Sequence, residues 1–533
     1  VSPDNPPRRA AVYNRFWHSQ GGGERHAGMI AEVLSGAAPT ADAPPIAVEL
    51  IGHGPVDVDE LGAHLGLDLS RCTYRDVPDA GELDLAEITC DYDLWVTGSY
   101  MSRLAPKAAQ SAYLCFFPTP FDHDFEPWRR WIVRNTASRF QLDAGVIGYG
   151  LGWYPPEGGR RRRWTWTTED AVLSVPAGEN RRIRMDLGRP GAPSPTVLRL
   201  EDGDGTLLRE ISVSNEFAAV DIELGPSVRG TEVHFRSDTF SPGTSDRRRL
   251  GVAVSKLRMT GMTSDGSARR RIMVYLAIRY PWLRNDPFDL KFLDSYTAVL
   301  ANSEYTRGYI KDWWKRDAQV LFPPIATEKL HPAPARDRLI LTVGRFFSPG
   351  LGHAKRQLEM VTWFGEMHRA GLLDGWRMAV VGGCEKSQQP YLQQVEAAAA
   401  GLPVEIRPNA PRAVVEKLLS NASIFWSATG YAEGENRPWA AEHFGMTTVE
   451  AMAGGCVPVV IDKAGQKEII TPGVDGYRWQ SPEQLKELTA RVANDETLRA
   501  RLSEAAVSRS AAFSDAAFAG RWQRIASASH LLD

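Results

Sequence analysis

Residues 442–455 read Glu442-His443-Phe444-Gly445-Met446-Thr447-Thr448-Val449-Glu450-Ala451-Met452-Ala453-Gly454-Gly455, and the apolar run CVPVVI follows at 456–461. The order is a loop, a helix N-terminus and a buried strand. Phe444, Gly445, Met446 and Thr447 open the helix, so their free N–H groups can hold an anion such as a diphosphate. Glu442 lies before the helix and can reach past that anion, while Glu450 lies one turn beyond Met446 on a similar face. One carboxylate can therefore take the hydroxyls of a sugar and the other those of a ribose. The competing reading is a capped amphipathic helix with two solvated glutamates. Two glutamates with seven residues between them do not separate these readings; the enclosed His-Phe-Gly and the closing Glu-Ala-Met-Ala-Gly-Gly favour a ligand site.

Working outward, RLILTVGRF, RMAVVGG, VEIRPN and ASIFWSA precede CVPVVID as further short apolar runs separated by helical stretches. The first 149 residues repeat the pattern with AAVYNRFW, IAVELIGH, DLWVTGS and SAYLCFFP, and with ERHAGMIAEVL as a crossover helix. Continuous apolar strands alternating with helices predict parallel sheets in a doubly wound α/β fold. Near Gly150 the pattern changes. Residues 160–262 carry WTWTTEDAVLSV, RRIRMDLG, TVLRLEDGDGTLLREISV, AAVDIEL and TEVHFRS, which alternate and are broken by Gly, Pro, Asp and Asn. These predict an inserted all-β sandwich. The α/β pattern returns near residue 272 with IMVYLAI, SYTAVLANS and AQVLFPP as strands and SEYTRGYIKDWWK as a helix, and Ala333-Pro334-Ala335 reads as a linker. The expected division is 1–149 and 263–332 as two parts of a first Rossmann-like domain, 150–262 as the insert, and 333–533 as a second Rossmann-like domain.

With 533 residues, 43% hydrophobic and 24% charged, the chain is of ordinary globular composition. A net charge of −3 argues against a dedicated nucleic-acid binder. Cys72, Cys90, Cys115, Cys384 and Cys456 form no C-x-x-C pair, which fits a reducing compartment without structural zinc. The start VSPDNPPRRAAVYNRFW does not read as a signal peptide, and no apolar run is long enough to span a membrane. A cytoplasmic location is expected, with any membrane contact peripheral. Basic runs at Arg160–Arg163, Arg247–Arg249 and Arg269–Arg271 suit anionic lipid or glycan, or plain solvated loops.

The Glu442–Gly455 segment resembles the donor-site signature of retaining glycosyltransferase family 4, which has the GT-B fold. Gly21-Gly22-Gly23-Glu24-Arg25 is similar to a loop near the start of the family's mannosyltransferases that extend dolichol-linked oligosaccharide. The likeness covers most of 11–149 and 275–525 and fails across about 150–262, and it implies that the last helix, SDAAFAGRWQRIASASHLL, crosses back to the first domain. It implies that Arg345 and Lys355 grip the diphosphate, that Glu442 binds the sugar and Glu450 the ribose, and that Gly445, Met446 and Thr447 present N–H groups to the donor. Arg407 stands where relatives bracket the base, a strand end being the competing reading. Gly22 and Gly23 lie in the first strand-to-helix loop, where backbone can approach a phosphate or sugar closely. Where the family has a histidine this chain has Phe116, and His123 is the nearest substitute, or else a solvated loop histidine. Asp122-x-Asp124 is not read as a metal site, and Asp91-x-Asp93 reads as structural. Trp164 and Trp166, pointing one way on a strand, suit sugar stacking or a sandwich core.

The implied reaction is metal-independent, retaining transfer of a hexose from a nucleoside diphosphate sugar to a glycan or lipid-linked glycan, with the leaving phosphate as base. GDP-mannose is the first donor expectation and a UDP-sugar the second. The rivals are a sugar-nucleotide epimerase on the same fold, which needs no acceptor, and a glycan-binding protein with a degenerate transferase core. Arg345, Lys355, Glu442 and Glu450 standing together argue against decay.

Overall fold

The computed structural model describes residues 8–36, 46–77, 82–121, 126–132, 152–154, 157–158, 162–175, 178–226, 231–242, 248–262, 290–349 and 353–532. His123 with Asp122 and Asp124, the expected strand IMVYLAI, and the arginines at 160, 161, 247 and 269–271 lie outside them.

The first sheet contains β1 (Arg9–Tyr13), β2 (Ala47–Gly52), β3 (Cys72–Asp76), β4 (Leu94–Thr97) and β5 (Gln110–Cys115). After nine antiparallel strands it resumes with β15 (Ala298–Ala301) and β16 (Gln319–Val320). The order is β16-β15-β5-β4-β1-β2-β3, and each pairing in it is parallel. The last sheet holds β17 (Asp337–Val343), β18 (Arg377–Gly382), β19 (Val404–Pro408), β20 (Ala422–Ser427), β21 (Val457–Ile461) and β22 (Tyr477–Trp479) in the order β19-β18-β17-β20-β21-β22. Counted within each sheet, both follow the 3-2-1-4-5-6 winding of a dinucleotide-binding domain. Val12, Leu50, Val96, Ile340, Val380 and Val459 are fully buried, as strands covered on both faces require. Sequence reading did not pick out β3, because CTYRD is a partly exposed edge strand with little apolar signal.

The chain end returns to the first half. Phe518, Trp522, Ile525, Ala526 and Leu531 pack in one core with Val12, Ile30 and Leu114. Arg25, on the helix Gly22–Gly36, donates to both carboxylate oxygens of Asp515 at 3.0 and 2.7 Å and to the carbonyl of Pro324.

Between β5 and β15 lie two antiparallel sheets. One joins β8 (Asp170–Val175), β10 (Thr196–Asp202), β11 (Leu207–Val213) and β13 (Thr231–Arg236). The other joins β6 (Glu157–Gly158), β7 (Arg163–Trp166), β9 (Gly178–Gly188), β12 (Ala218–Leu224) and β14 (Ala253–Met262). Leu173, Leu198 and Phe235 from the first meet Ile183, Ile222 and Val254 from the second in a single core, which makes a sandwich. Trp164 and Trp166 are neither in that core nor an open platform. Trp166 pairs with Ala253 and Thr165 with the inward Val254, so both indoles stand on the outer face. There Tyr154, Phe217, Phe240 and Leu250 cover them, and Trp166 is buried.

Candidate functional site

Doubly wound sheets bind ligands at the C-terminal strand ends where the winding reverses. In the last sheet that point lies between β17 and β20, and Arg345 and Thr429 follow those two strands by two residues each. The loop after β17 is fixed by buried Gln357, whose amide donates to the carbonyls of Gly344 and Arg345 at 3.0 Å each. Lys355 lies directly over Gly344: a Cβ there would meet the lysine Cγ at 2.6 Å, so only glycine admits the side chain.

Lys355 Nζ donates to Glu442 Oε2 at 2.5 Å, with the two side chains 22% and 18% exposed. Burial pushes the Glu442 carboxyl up, but the Lys355 cation, aided by His353 and a hydrogen bond with Thr429, leaves it below its ordinary value. The loop before Glu442 is anchored by the buried pair Arg356–Glu433 at 2.7 Å and by Lys463, which donates to the carbonyls of Gly430 and Glu433.

The helix Met446–Ala453 begins at Gly445, whose φ of +118° is open to glycine and strained for other residues. Its carbonyl accepts from Thr448 and Val449, so the N–H groups of Met446 and Thr447 stand at the uncapped end. Phe444 is different: its ring is buried against Phe322 and Phe513, so its side chain anchors the helix. Glu450 pairs with Arg412 at 2.8 Å and Arg407 with Glu405 at 2.6 Å. Among the described residues, neither pair shares an ion pair with Lys355 or Glu442.

The first half supplies the facing wall. Glu24 folds back, accepting from the Gly21 N–H and the Ser19 hydroxyl at 2.7 Å each, and so shapes the glycine loop from within. A Cβ on Gly21 would stand 3.2 Å from the Arg345 guanidinium, and one on Gly22 would stand 2.7 Å from Met446 Sδ. Gly22, Arg345 and Met446 thus converge across the cleft. Gly23 faces the Phe116 ring instead.

Sequence reading gave two histidines no role of their own: His443, which it used only as part of the His-Phe-Gly motif, and His353, which it passed over. His443 stacks on Phe117 at 4.2 Å and 13°, and its Nε2 lies 3.2 Å from the Trp439 carbonyl. His353 meets His443 edge-on at 4.7 Å, with a left-handed φ of +56°. Burial holds both imidazoles below their ordinary value, His443 well below, and Lys355 adds to the effect. A lone histidine carries no spacing signal, although the strained backbone of His353 is a mark of functional sites.

Residues 327–509 match the family model described as glycosyl transferases group 1. The human GDP-Man:Man(3)GlcNAc(2)-PP-Dol alpha-1,2-mannosyltransferase is 25% identical over 245 residues, 42% of this chain and 46% of that protein. Its Xenopus laevis counterpart is 25% identical over 188 residues, 33% of this chain and 36% of that protein. The chain therefore spans less than half the length of these curated relatives. A glycosyltransferase structure from Rickettsia africae ESF-5 aligns with 99% of this chain and 100% of its own at a TM-score of 0.51 and 12% identity. The fold is GT-B, two Rossmann-like units flanking a cleft, with the β sandwich inserted.

Proposed function

We propose that the chain is a glycosyltransferase that moves a hexose from a nucleoside diphosphate sugar to a hydroxyl of a glycan or lipid-linked glycan. The reading is carried by one observation: Lys355 and Glu442 are paired beside Arg345 and the open end of the Met446 helix, across from Gly22. When the sugar–phosphate bond breaks, its electron pair passes to the diphosphate. Arg345, Lys355 and the N–H groups of Met446 and Thr447 offset that charge in a partly enclosed site. The arriving diphosphate takes over the Lys355 ammonium, which frees Glu442 to accept from sugar hydroxyls. Glu450 exchanges Arg412 for the ribose. The acceptor hydroxyl adds on the face the phosphate leaves, with retention, and gives its proton to that phosphate. No step requires a metal, and transfer persists in excess EDTA. GDP-mannose is the first donor and a UDP-sugar the second, since the mannosyltransferases above carry GDP-Man in their names. His123 is assigned to acceptor or sugar contact in place of the family histidine missing at Phe116. The protein works in the cytoplasm, against a membrane when its acceptor is lipid-linked.

A thermal-shift panel of GDP-, UDP- and ADP-sugars tests the donor. A ligand at 100 times its Kd stabilises by about 2.7 kcal/mol, so one base should stand out. Glu442→Gln and Lys355→Ala should each lower turnover by ~10²–10³ while the fold holds. Near-normal turnover in both variants would end the assignment.

A further inference from the structure

A row of aromatic rings runs outward from Glu442 along the seam between the two Rossmann-like units. It starts at His443, stacked on Phe117. Phe117 meets Tyr309 at 5.2 Å and Trp313 at 5.8 Å, and Trp313 meets Trp439 at 6.4 Å with 62° between the rings. Phe117, Tyr309 and Trp313 belong to the first unit, and His443 and Trp439 to the second. The inner end is closed, with Phe117 3% and His443 9% exposed, whereas Trp313 is 37% exposed. Trp439 is half-buried.

Packing alone does not account for that open end. Helix Glu304–Tyr309 widens into a π-helical turn, Ile310–Trp314. Such turns are uncommon and concentrate at functional sites. Here two successive indoles part: Trp314 is buried against Tyr113 and Phe292, while Trp313 is left on the cleft. Trp313 also meets Tyr309 edge-on at 4.8 Å, and the two indoles from opposite walls still keep part of their surface open to the cleft. The place of this pair follows from the chain. Glu450, the ribose carboxylate of the proposed function, lies inside the helix; the helix start, Glu442 and His443 come before it, and the aromatic row leaves from His443. The row therefore begins beside the sugar carboxylate of the proposed function, at the residue that follows Glu442 in the chain.

We infer that Trp313 and Trp439 form a stacking subsite for a pyranose ring of the acceptor glycan. The inference rests on the transferase reading above. A pyranose presents an apolar C–H face bordered by hydroxyls, which suits an aromatic face at the mouth of a cleft with water at its rim. Because each unit contributes one indole, the subsite is complete only when the two units stand as they do here. Acceptor binding then favours the arrangement in which Arg345 faces the glycine loop.

Full-length protein with Trp313→Ala, Trp439→Ala and Trp313→Phe is titrated by calorimetry with mannotriose, maltotriose and cellotriose, and separately with GDP and UDP. The expected result is an oligosaccharide Kd raised about tenfold by each alanine, a loss of about 1.4 kcal/mol. Trp313→Phe should recover most of it, and nucleotide Kd should be unchanged. Unchanged oligosaccharide affinity in both alanine variants, or no binding of any of the three sugars by the unaltered chain, overturns the inference. Loss of nucleotide affinity alone also overturns it and assigns the rings to the base. Protein that binds oligosaccharide through these indoles but binds no nucleotide sustains the subsite and refutes the transferase reading instead.

Discussion

Lys355 and Glu442 hold each other in a place where neither is fully hydrated, so removing one partner leaves the other uncompensated. Lys355→Ala should cost about 2 kcal/mol, between the limits for exposed and buried pairs. Glu442 is held below its ordinary value, so its contribution is present above the unfolded pKa of about 4.3 and lost as pH falls through the folded one. The difference between unaltered and variant protein in urea unfolding should therefore be larger at neutral pH than in acid; a constant difference would show that the pair adds no stability. His26 gives the opposite lesson. Its ring is buried between Phe116 and Phe518 with both nitrogens unpartnered, and burial, helped by Arg25, holds it down to about 3. The unfolded chain takes up a proton near pH 6.5 and the folded one does not, so stability should fall by about 1.4 kcal/mol per pH unit below that point. His26→Leu should make the slope shallower by that amount between about pH 6.5 and about 3, leaving what the buried His353 and His443 contribute; an unchanged slope would mean that the ring is hydrated in solution. Arg345 and Lys355 after β17, and Glu442 and Glu450 after β20, could be singled out because each pair belongs to one strand–loop–helix unit whose motif order the sequence carries; their roles belong to the proposed function. His26 and His353 were not, since their environment is made by residues from distant elements.

At the scale of elements, AVELIG and VPVVI were readable because covered faces demand apolar runs, whereas CTYRD was lost because it carries little apolar signal; the partly exposed edge strand VEIRP kept enough of that signal to be read. The alternation of Trp164 and Trp166 announced a shared face but not which face, because the outer side of that sheet is covered by residues from other loops. Caps that come from elsewhere are equally invisible in sequence. The helix Glu304–Tyr309 is capped by its own Ser303 and also by Glu468 of the other Rossmann-like unit, which accepts from the N–H groups of Glu304 and Tyr305 at 2.7 Å each. Tyr305 adds a hydrogen bond to the Pro438 carbonyl. Glu468→Ala should cost about 1 kcal/mol, as loss of a cap does, and should speed amide exchange at 304–306. Exchange unchanged there would show that the contact is not maintained in solution.

At the scale of the molecule, the sandwich shares no core with either parallel sheet among the described residues. We assign it to acceptor handling and not to donor chemistry. Replacing 150–262 with a short Gly/Ser linker should leave GDP or UDP affinity in place and lower turnover on a long acceptor, measured on protein shown to be folded. Loss of nucleotide binding with full turnover would reverse that assignment. The α/β–β–α/β plan was visible as a change of hydrophobic period. The join between the chain's ends was expected only from the resemblance, because Arg25 and Asp515 are 490 residues apart. That join has a consequence during biosynthesis. Phe518, Trp522 and Ile525 fill the first unit's core, so a nascent chain that has emitted β1 through β5 still lacks part of its own interior. At ~5–20 residues per second, the wait from the first helix to the last is on the order of half a minute to two minutes. For that interval the apolar positions that Phe518, Trp522 and Ile525 will cover stay open, and the first unit's core is complete only once Asp515–Ala528 has been synthesised.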